Sequence, residues 1–218
     1  IPVVIGETQD EIKDIFIKTA QEKNSEISFA DKFKTNIYDC DLKGNYQKKN
    51  IKTVLKSVEL INNIGFKIQN THLKDGICCV VKNTGLQGRW QILQKEPMIV
   101  CDTAHNEAAL KEVISQLKNF DNSNLHFIIG FSNDKNLENI STIFPSNSKY
   151  YFVQSEVGRA RNSKEVRDVF KSNNRNGDYF KSIKETINYV REICNKNDII
   201  FIGGSTFVVS EIFDQFLD

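Results

Sequence analysis

Asp102, His105 and Asn106 stand together in the string Asp102-Thr103-Ala104-His105-Asn106, which directly follows an apolar run. After a strand, an aspartate can hydrogen-bond a ribose hydroxyl or a metal-bound water, and the amino terminus of a following helix favours anions. The alternative is that Asp102 or Asn106 only caps that helix. A single histidine such as His105 is more often a surface or core residue than a catalytic one. The string therefore predicts an anion or nucleotide site, with helix capping as the competing interpretation.

Three further strings of charged or small residues also follow apolar runs and could bind an anion. They are residues 130–136, 156–161 and 203–206. Lys135 in the first would offer a point charge to a carboxylate or phosphate, and Arg159 and Arg161 in the second could bind the same groups. Ser205 in the third follows two glycines, in a turn whose free N–H groups suit an anion. The competing interpretations are a solvated lysine, solvated arginines and a plain tight turn.

Several familiar catalytic strings are missing from the sequence. It contains no GxxxxGK[ST] phosphate loop, no GxSxG nucleophile turn and no GxGxxG after a predicted strand. These absences argue against a P-loop domain, an α/β-hydrolase and a dinucleotide-binding domain. The five cysteines lie at positions 40, 78, 79, 101 and 194, without a CxxC spacing. Their scatter favours buried free thiols in a reducing cytosol over a zinc site or a disulfide framework.

The composition is that of a globular protein without a strong charge bias. Of 218 residues, 39% are hydrophobic and 26% charged, and 29 Lys and Arg nearly balance 28 Asp and Glu. This balance excludes a strongly basic nucleic-acid binder. No apolar run approaches the roughly 20 residues of a membrane-spanning helix. The chain begins inside a predicted strand at Ile1, without an initiator methionine, so we expect it to be a piece of a longer protein.

The second part of the chain alternates strands with helices about a dozen residues long. Apolar runs predict strands at 90–93, 98–101, 125–129, 150–153 and 199–202, the first two as a hairpin. Helical spacing predicts helices at 108–117, 137–144, 163–170, 183–194 and 207–216. This alternation is typical of an α/β fold with a Rossmann-like, mostly parallel sheet and helices on both faces. Ligands of such sheets bind beyond the carboxyl ends of the strands, where all four polar strings would lie.

The first part of the chain is poorer in strands. The predicted strands are 3–5 and, more weakly, 26–29 and 35–38. The predicted helices are 12–20 after a capping box at 8–11, then 51–61 ending at Gly65, then 73–81 ending at 83–85. We therefore place a domain boundary near Leu86, with a partial α/β domain at 1–86 and a second domain at 87–218.

Two strings, Gly88-Arg89-Trp90-Gln91 and the one that starts at Asp102, resemble the interdomain GR linker and the DxAHN motif of one enzyme family. This is the folylpolyglutamate synthase / dihydrofolate synthase family, within the Mur ligase superfamily. Further matches follow in family order; they are 2–7 (PVVIGE), 42–50 (LxGxHQxxN), 134–136 (DKD) and 204–211 (GSLYLVGE). Tyr46 stands where the family usually has His, and Glu107 where it commonly has Pro. The resemblance covers essentially the whole chain. It implies that 1–86 ends the ATP-binding central domain and that 87–218 is the Mur-ligase-type C-terminal domain.

The resemblance implies an ATP-dependent ligase that turns a folate carboxylate into an acyl phosphate, which the amino group of L-glutamate attacks to form an amide. The implied ATP-binding residues are Asn50, Arg89, Asp102 and His105, and the implied glutamate-binding residues are Lys135, Ser205 and Arg159. The family's phosphate loop, magnesium ligands and carbamylated lysine all lie upstream of the PVVIGE strand. The enzyme would use ATP and Mg²⁺, but this chain would hold no catalytic or metal-binding residue and would be inactive alone.

The resemblance leaves the exact reaction open between dihydrofolate synthesis, polyglutamylation and both. The alternatives are another Mur-type amino-acid ligase and a non-catalytic α/β nucleotide-binding module. The expected partners are small molecules, namely a folate or pteroate, L-glutamate and ATP, with no nucleic acid and no membrane. A monomeric, cytoplasmic protein is the family expectation.

Overall fold

The computed structural model describes residues 1–35, 38–120, 124–213 and 216, and the chain divides into two compact units, Ile1–Leu86 and Gln87–Asp218. Each unit has its own sheet. Among the described residues, no helix is long and apolar enough to cross a membrane.

Within its described residues, the first unit has a small parallel sheet, four α-helices and a short 3-10 helix at Ala30–Lys32. Its strands are β1 (Val3–Ile5) and β2 (Ile27–Phe29), paired so that Val3 lies opposite Ile27. Its helices are α1 (Lys13–Glu22), α2 (Gln47–Asn63), α3 (Asn70–Cys78) and α4 (Val80–Thr84). Ile51, Leu55 and Ile77 form a buried cluster, because residues three or four apart share one face of a helix. The helix over 51–61 is confirmed, and Gly65 follows it with a positive φ of 109°.

Three local predictions for the first unit differ from the structure. The Thr8 capping box does not form, because the Thr8 hydroxyl donates to Asp31 Oδ1 at 2.8 Å, and α1 begins only at Lys13. The single helix predicted over 73–81 is two helices, broken at Cys79, because the Asp41 carboxylate accepts the first N–H groups of α4 from Val80 and Val81. The predicted strand at 35–38 falls partly on residues 36 and 37, which lie outside the described residues, and its two end residues are not in a strand.

The second unit is built on a six-stranded sheet. The predicted mostly parallel sheet is confirmed, with one strand more than the five that were predicted. Its strands are β3 (Gln91–Lys95), β4 (Met98–Asp102), β5 (Leu125–Ile129), β6 (Lys149–Phe152), β7 (Gly177–Tyr179) and β8 (Ile199–Gly203). The strand order is β3-β4-β8-β5-β6-β7, and only the β3–β4 hairpin is antiparallel. Strands β4, β5 and β8 are nearly continuous apolar runs because both of their faces are buried.

Helices cover both faces of this sheet. They are α5 (Glu107–Leu117), α6 (Leu137–Ile143), α7 (Ser163–Ser172), α8 (Ile183–Ile193) and α9 (Thr206–Ser210). Alternate strand residues such as Ile99, Ile128 and Ile200 pack with α8 and α9 on one face. The other face carries a cluster of buried rings next to α6 and α7; they are Phe127, Phe131, Phe144, Tyr150, Phe152, Phe170 and Phe201.

Two elements of the second unit were mispredicted. Strand β7 was missed, because its sequence Gly-Asp-Tyr is polar and lies at the sheet edge, where burial does not demand an apolar run. The last helix was predicted to reach Phe216, but α9 ends at Ser210 and the chain continues in turns over 211–213. Residues 214 and 215 lie outside the described residues.

Cys101 is the buried cysteine, whereas the other four are half-buried, so the expectation of buried thiols is confirmed only for Cys101. All five are free thiols. Burial, with a smaller contribution from the Asp102 carboxylate, raises the pKa of Cys101 to about 12. A protonated, buried thiol reacts slowly, because the thiolate is the nucleophile.

We therefore expect Cys101 to resist alkylation in the native protein at neutral pH, while Cys78 and Cys79 react. Iodoacetamide labelling followed by peptide mass spectrometry measures this, with a sample unfolded in urea as the control in which all five thiols react. Equal labelling of Cys79 and Cys101 in the native protein would contradict the prediction.

Candidate active site at the carboxyl edge of the parallel sheet

The four polar strings of the sequence all follow strand ends at one edge of the second sheet. Asp102 at the end of β4 lies opposite Gly203 at the end of β8, and Gly203 also lies opposite Ile129 at the end of β5. The strands are parallel, so the loops that follow them leave at the same edge. This is the edge at which parallel α/β sheets bind their ligands.

Asp102 ties the segment before β3 to the segment after β4. Its side chain is only 3% exposed; Oδ2 accepts the Trp90 N–H at 2.7 Å and Oδ1 accepts the Ala104 N–H at 2.8 Å. The Thr103 N–H donates to Gly88 O at 2.9 Å in the same place. Trp90 itself is buried and has a φ of 45°, a left-handed conformation that is uncommon for a non-glycine residue. The carboxylate therefore holds the Gly88–Trp90 turn in position.

Arg89 lies in the middle of this turn and is half-buried. Its Nη1 is 3.5 Å from Gly88 O, and no carboxylate of the described residues lies within ion-pair distance of its guanidinium. His105 is exposed, with Nδ1 3.0 Å from Thr103 O. Asn106 caps α5 by accepting the Ala109 N–H at 2.9 Å, so the capping interpretation is confirmed for Asn106.

The loops after β5 and β6 are fastened to each other. Asn133 N–H donates to Arg159 O at 3.0 Å, and Arg161 donates through its backbone N–H to Phe131 O and through Nη1 to Lys135 O. These bonds bring Lys135 and Arg159 into neighbouring positions although 23 residues separate them in the sequence.

Lys135 is a partly buried cation on this edge. Its Nζ is 2.9 Å from Asp134 Oδ2, and 23% of its side chain is exposed. The hydrogen bond from Lys135 lowers the pKa of the exposed Asp134 carboxyl. Because Asp134 is exposed, solvent screens this ion pair, and an incoming carboxylate can compete with Asp134 for the ammonium group.

Arg159 and Ser205 both contact Phe207 at the start of α9. The Arg159 guanidinium stacks over the Phe207 ring at 4.5 Å from its centroid, a cation–π contact. Ser205 is 4% exposed, and its Oγ accepts the Phe207 N–H at 3.1 Å as the cap of α9. The Glu156 N–H donates to Glu211 Oε1 at 2.9 Å, so the loop after β6 is anchored to the far end of α9 as well.

A cleft of about 410 Å³ opens beside the loop after β6. The residues that line it are Gln154, Ser155, Glu156, Asn162, Ser163, Lys164, Tyr179 and Lys181. This volume lies within the range of small-molecule sites.

A protein-family model, described as "Mur ligase, glutamate ligase domain", matches residues 88–206, more than half of the chain. The chain belongs to the Mur ligase family. A dihydrofolate synthase/folylpolyglutamate synthase from Buchnera aphidicola subsp. Schizaphis graminum is 26% identical over 149 residues, which are 67% of this chain and 34% of the relative.

Solved structures share the fold of this Mur ligase chain. The Mycobacterium tuberculosis folylpolyglutamate synthase complexed with ADP superposes with a TM-score of 0.85 at 16% identity, over 98% of this chain and 54% of that one. A bifunctional folylpolyglutamate synthase/dihydrofolate synthase with Mn, AMPPNP and L-glutamate bound has a TM-score of 0.78 at 14% identity, over 100% and 53%. The curated relatives are much longer, since the chain spans only 16–39% of their lengths. The recognition from motifs and the fold class are thereby confirmed.

Asn50, the remaining predicted nucleotide contact, lies in the other unit of this Mur ligase chain. It is exposed on the first turn of α2, and its Nδ2 donates to Gln47 Oε1 at 2.9 Å. The structure thus places Arg89, Asp102, Lys135 and Ser205 on one unit and Asn50 on the other. The binding roles of all of these residues stay predictions.

Two residues at the carboxyl edge of the second sheet were not identified from the sequence. Trp90 looked like the first residue of a strand but forms the left-handed turn that the Asp102 carboxylate holds. Phe207 looked like an ordinary apolar position of a helix but supports the Arg159 guanidinium. The GRWQ string was the signal that could have identified Trp90; for Phe207 the sequence carries none.

The donors on this edge suit an anion rather than a metal ion. Arg89 and Arg159 offer planar guanidinium groups and Lys135 an ammonium group, the cations that bind phosphates and carboxylates. Within the part of the chain that the structure describes, no group of three His, Cys, Asp or Glu residues at this edge could hold a metal. These cations therefore suit an anionic ligand.

Proposed function

We propose that the chain is part of an ATP-dependent ligase that joins L-glutamate to a folate through an amide bond. The observation that carries the proposal is the gathering of Lys135, Arg159 and Ser205 beside Asp102 at one sheet edge of a Mur ligase glutamate ligase domain. The dihydrofolate synthase/folylpolyglutamate synthase relatives support a folate or pteroate as the substrate whose carboxylate is activated. Dihydrofolate synthesis, polyglutamylation or both satisfy this chemistry.

The reaction needs cations where two anionic substrates meet. ATP supplies a phosphoryl group that makes the folate carboxylate a competent acyl donor. L-glutamate must then present its free amine while its own carboxylates are held, and charge-assisted hydrogen bonds are the strong means of holding them. Lys135 and the Ser205 turn are our candidates for those carboxylates, with Arg159 supported by Phe207 as the third.

Arg89 is our candidate for the ATP phosphates. Its guanidinium has no carboxylate partner among the described residues, and its backbone is fixed on both sides by the bonds of Asp102 to Trp90 and of Thr103 to Gly88. We assign Asp102 mainly to this positioning, because both of its oxygens already accept backbone N–H groups. Asn50 and His105 complete the proposed nucleotide contacts. The triphosphate cradle and the Mg²⁺ ligands would come from residues outside this sequence, and the chain alone would not ligate.

Replacing Lys135 by methionine tests the glutamate assignment. In the protein expressed from the complete reading frame, we expect Lys135→Met to raise the KM for L-glutamate at least about tenfold, since a lost charged contact costs about 1.5–3 kcal/mol. The KM for ATP should change much less. Steady-state titration of each substrate, with radiolabelled L-glutamate and dihydropteroate or tetrahydrofolate as the acyl substrate, measures both constants.

Lys118→Met is the matched control, because Lys118 is an exposed lysine at the carboxyl end of α5, at the opposite edge of the sheet from the loops after β5 and β8. An unchanged KM for glutamate in Lys135→Met, or an equal rise in both constants, would remove Lys135 from the glutamate site. Ligation of an amino acid other than glutamate, or ligation to a carboxylate that does not belong to a folate or pteroate, would favour a different Mur-type ligase. If the complete protein ligates nothing, the alternative of a non-catalytic nucleotide-binding module is favoured. We expect the active protein to be a cytoplasmic monomer.

A further inference from the structure

His126, Cys194 and Asp198 cluster at the opposite edge of the same sheet. His126 is the second residue of β5, Asp198 directly precedes β8, and Cys194 follows the last residue of α8. One nitrogen, sulfur or oxygen atom of each lies within 4.8 Å of the others. The cluster is therefore at the amino ends of the strands, whereas the proposed ligase site is at the carboxyl ends.

His126 contains an unsatisfied buried nitrogen. The residue is 0% exposed, and its Nε2 has no hydrogen-bond partner, although Asp198 Oδ2 is 3.5 Å away. On the other side of the ring, Nδ1 is 3.1 Å from the Tyr151 hydroxyl. Burial, reinforced by the Lys149 charge, lowers the pKa of His126, so the ring is neutral at neutral pH. With the proton on Nδ1, donated to Tyr151, Nε2 presents a lone pair, the arrangement that metal-binding histidines adopt.

The Asp198 carboxylate is oriented by four donors. Asn124 donates to Oδ1 through its side-chain amide at 2.8 Å and its backbone N–H at 3.4 Å. Asn195 donates to Oδ2 through its backbone N–H at 2.9 Å and, more distantly, its side-chain amide at 3.3 Å. These bonds keep Asp198 ionised in a buried position and aim Oδ2 towards His126. The long contact from the Asn195 amide is the one that a bound cation would replace.

We propose that His126, Cys194 and Asp198 form a binding site for Zn²⁺. Zinc prefers nitrogen, sulfur and carboxylate ligands in tetrahedral geometry, with bonds of about 2.0–2.3 Å. Such bonds place two ligand atoms about 3.5 Å apart, which is the observed separation of His126 Nε2 and Asp198 Oδ2. Cys194 is half-buried, so the ion reaches the cluster from that side, and a water completes the fourth position. On binding, the Cys194 thiol releases its proton to solvent and the thiolate sulfur bonds to the metal.

Two features of the site oppose binding and set how the test is designed. Burial, with a smaller contribution from Asp198, raises the pKa of the Cys194 thiol to about 11, so zinc has to displace a tightly held proton. The charge of the Lys149 ammonium opposes a cation at His126 and Cys194, but Lys149 is exposed, so solvent screens this repulsion. Lys149→Gln should therefore strengthen binding slightly rather than abolish it.

The experiment is a zinc titration of the full 218-residue chain after treatment with a chelator. Competition with a chromophoric chelator gives the affinity and stoichiometry, and Co²⁺ serves as a spectroscopic probe, because a thiolate ligand adds an intense charge-transfer band. We expect one equivalent of Zn²⁺, a thiolate band with Co²⁺ and a higher Tm with zinc. Cys194→Ser should weaken binding at least about tenfold and remove the thiolate band.

Matched variants separate this site from other thiols and imidazoles. Cys40→Ser and His72→Asn change a cysteine and a histidine of the first unit and should leave the zinc affinity and the band unchanged. His126→Asn should lose zinc binding, and circular dichroism shows whether this variant still folds. If His126→Asn does not fold, the zinc affinity of Cys194→Ser, changed at a half-buried position, is the deciding measurement. Equal zinc binding by Cys194→Ser and the unchanged chain would overturn the proposal. So would the absence of stoichiometric binding, which would leave His126 and Asp198 as a metal-free hydrogen-bonded pair.

Discussion

Asp102→Ala is expected to lower the free energy of unfolding of the unit Gln87–Asp218 by about 2–6 kcal/mol, even without nucleotide. The change leaves the buried N–H groups of Trp90 and Ala104 without their acceptor, and each unsatisfied buried donor costs about 1–3 kcal/mol. Urea denaturation followed by fluorescence measures the loss. Trp90 is the single tryptophan of the chain and is buried in this unit, so its emission reports on the unit directly.

Two variants make this measurement specific. Asp102→Asn keeps the shape but places an amide NH₂ against one of the two N–H groups, so it should destabilise the unit less than alanine does. Asp134→Ala removes an exposed carboxylate from the neighbouring loop and should change stability by no more than about 0.5 kcal/mol. If the Asp102→Ala protein unfolds at the same urea concentration as the unchanged chain, the two hydrogen bonds of Asp102 do not contribute to the stability of the unit.

The stability measurement also decides how activity data on Asp102 are interpreted. If Asp102 acts mainly by holding the Gly88–Trp90 turn, its replacement impairs nucleotide use through a displaced Arg89. Arg89→Ala should then raise the KM for ATP without lowering the free energy of unfolding. Among the described residues, the hydrogen bond that the Arg89 guanidinium makes is a long one, 3.5 Å from Nη1 to Gly88 O. The two variants separate the positioning residue from the residue that we propose contacts phosphate.

The parallel sheet could be predicted from the sequence because its central strands are buried on both faces. Runs such as 125–129 and 199–202 have no reasonable alternative to a buried strand when helical segments follow them at regular intervals. Strand β7 escaped prediction because an edge strand needs no such run. The failed capping box at Thr8 has a similar origin: its hydroxyl bonds Asp31, a partner 23 residues away that no local pattern contains.

The candidate site was predictable only in part, for the same reason. The strings after strand ends could be placed on one edge, because topology alone brings the carboxyl ends together. The contacts among the side chains at this edge could not be predicted. The stacking of Arg159 on Phe207 and the hydrogen bond from Arg161 to Lys135 O depend on the conformations of the loops that carry these residues. The His126, Cys194 and Asp198 cluster has no motif spacing at all. It exists because β5 and β8 are neighbours in the sheet.

Gly204→Ala should destabilise the same unit by at least about 3 kcal/mol. Gly204 joins β8 to α9 with a φ of +86°, a conformation that costs a residue with a side chain about 1–3 kcal/mol. A Cβ at this position would also lie 2.8 Å from Gly130 O and 2.9 Å from the Phe131 ring. The Gly130 carbonyl belongs to the backbone at the end of β5, so it cannot move aside as a flexible side chain would. Urea denaturation with Trp90 fluorescence gives the loss in free energy.

Gly158→Ala is the control that separates crowding and strain from the mere loss of a glycine. It lies in the loop after β6 of the same unit, its φ is outside the left-handed region, and nothing lies within 4 Å of where its Cβ would be. Alanine there reduces the freedom of the unfolded chain without a clash, so stability should be unchanged or slightly higher. If both glycine variants unfold at the same urea concentration, the turn between β8 and α9 has room to relax. That outcome would show that the close approach of Gly204 to Gly130 does not fix the position of Ser205. The assignment of Ser205 to the glutamate carboxylates would then lack structural support.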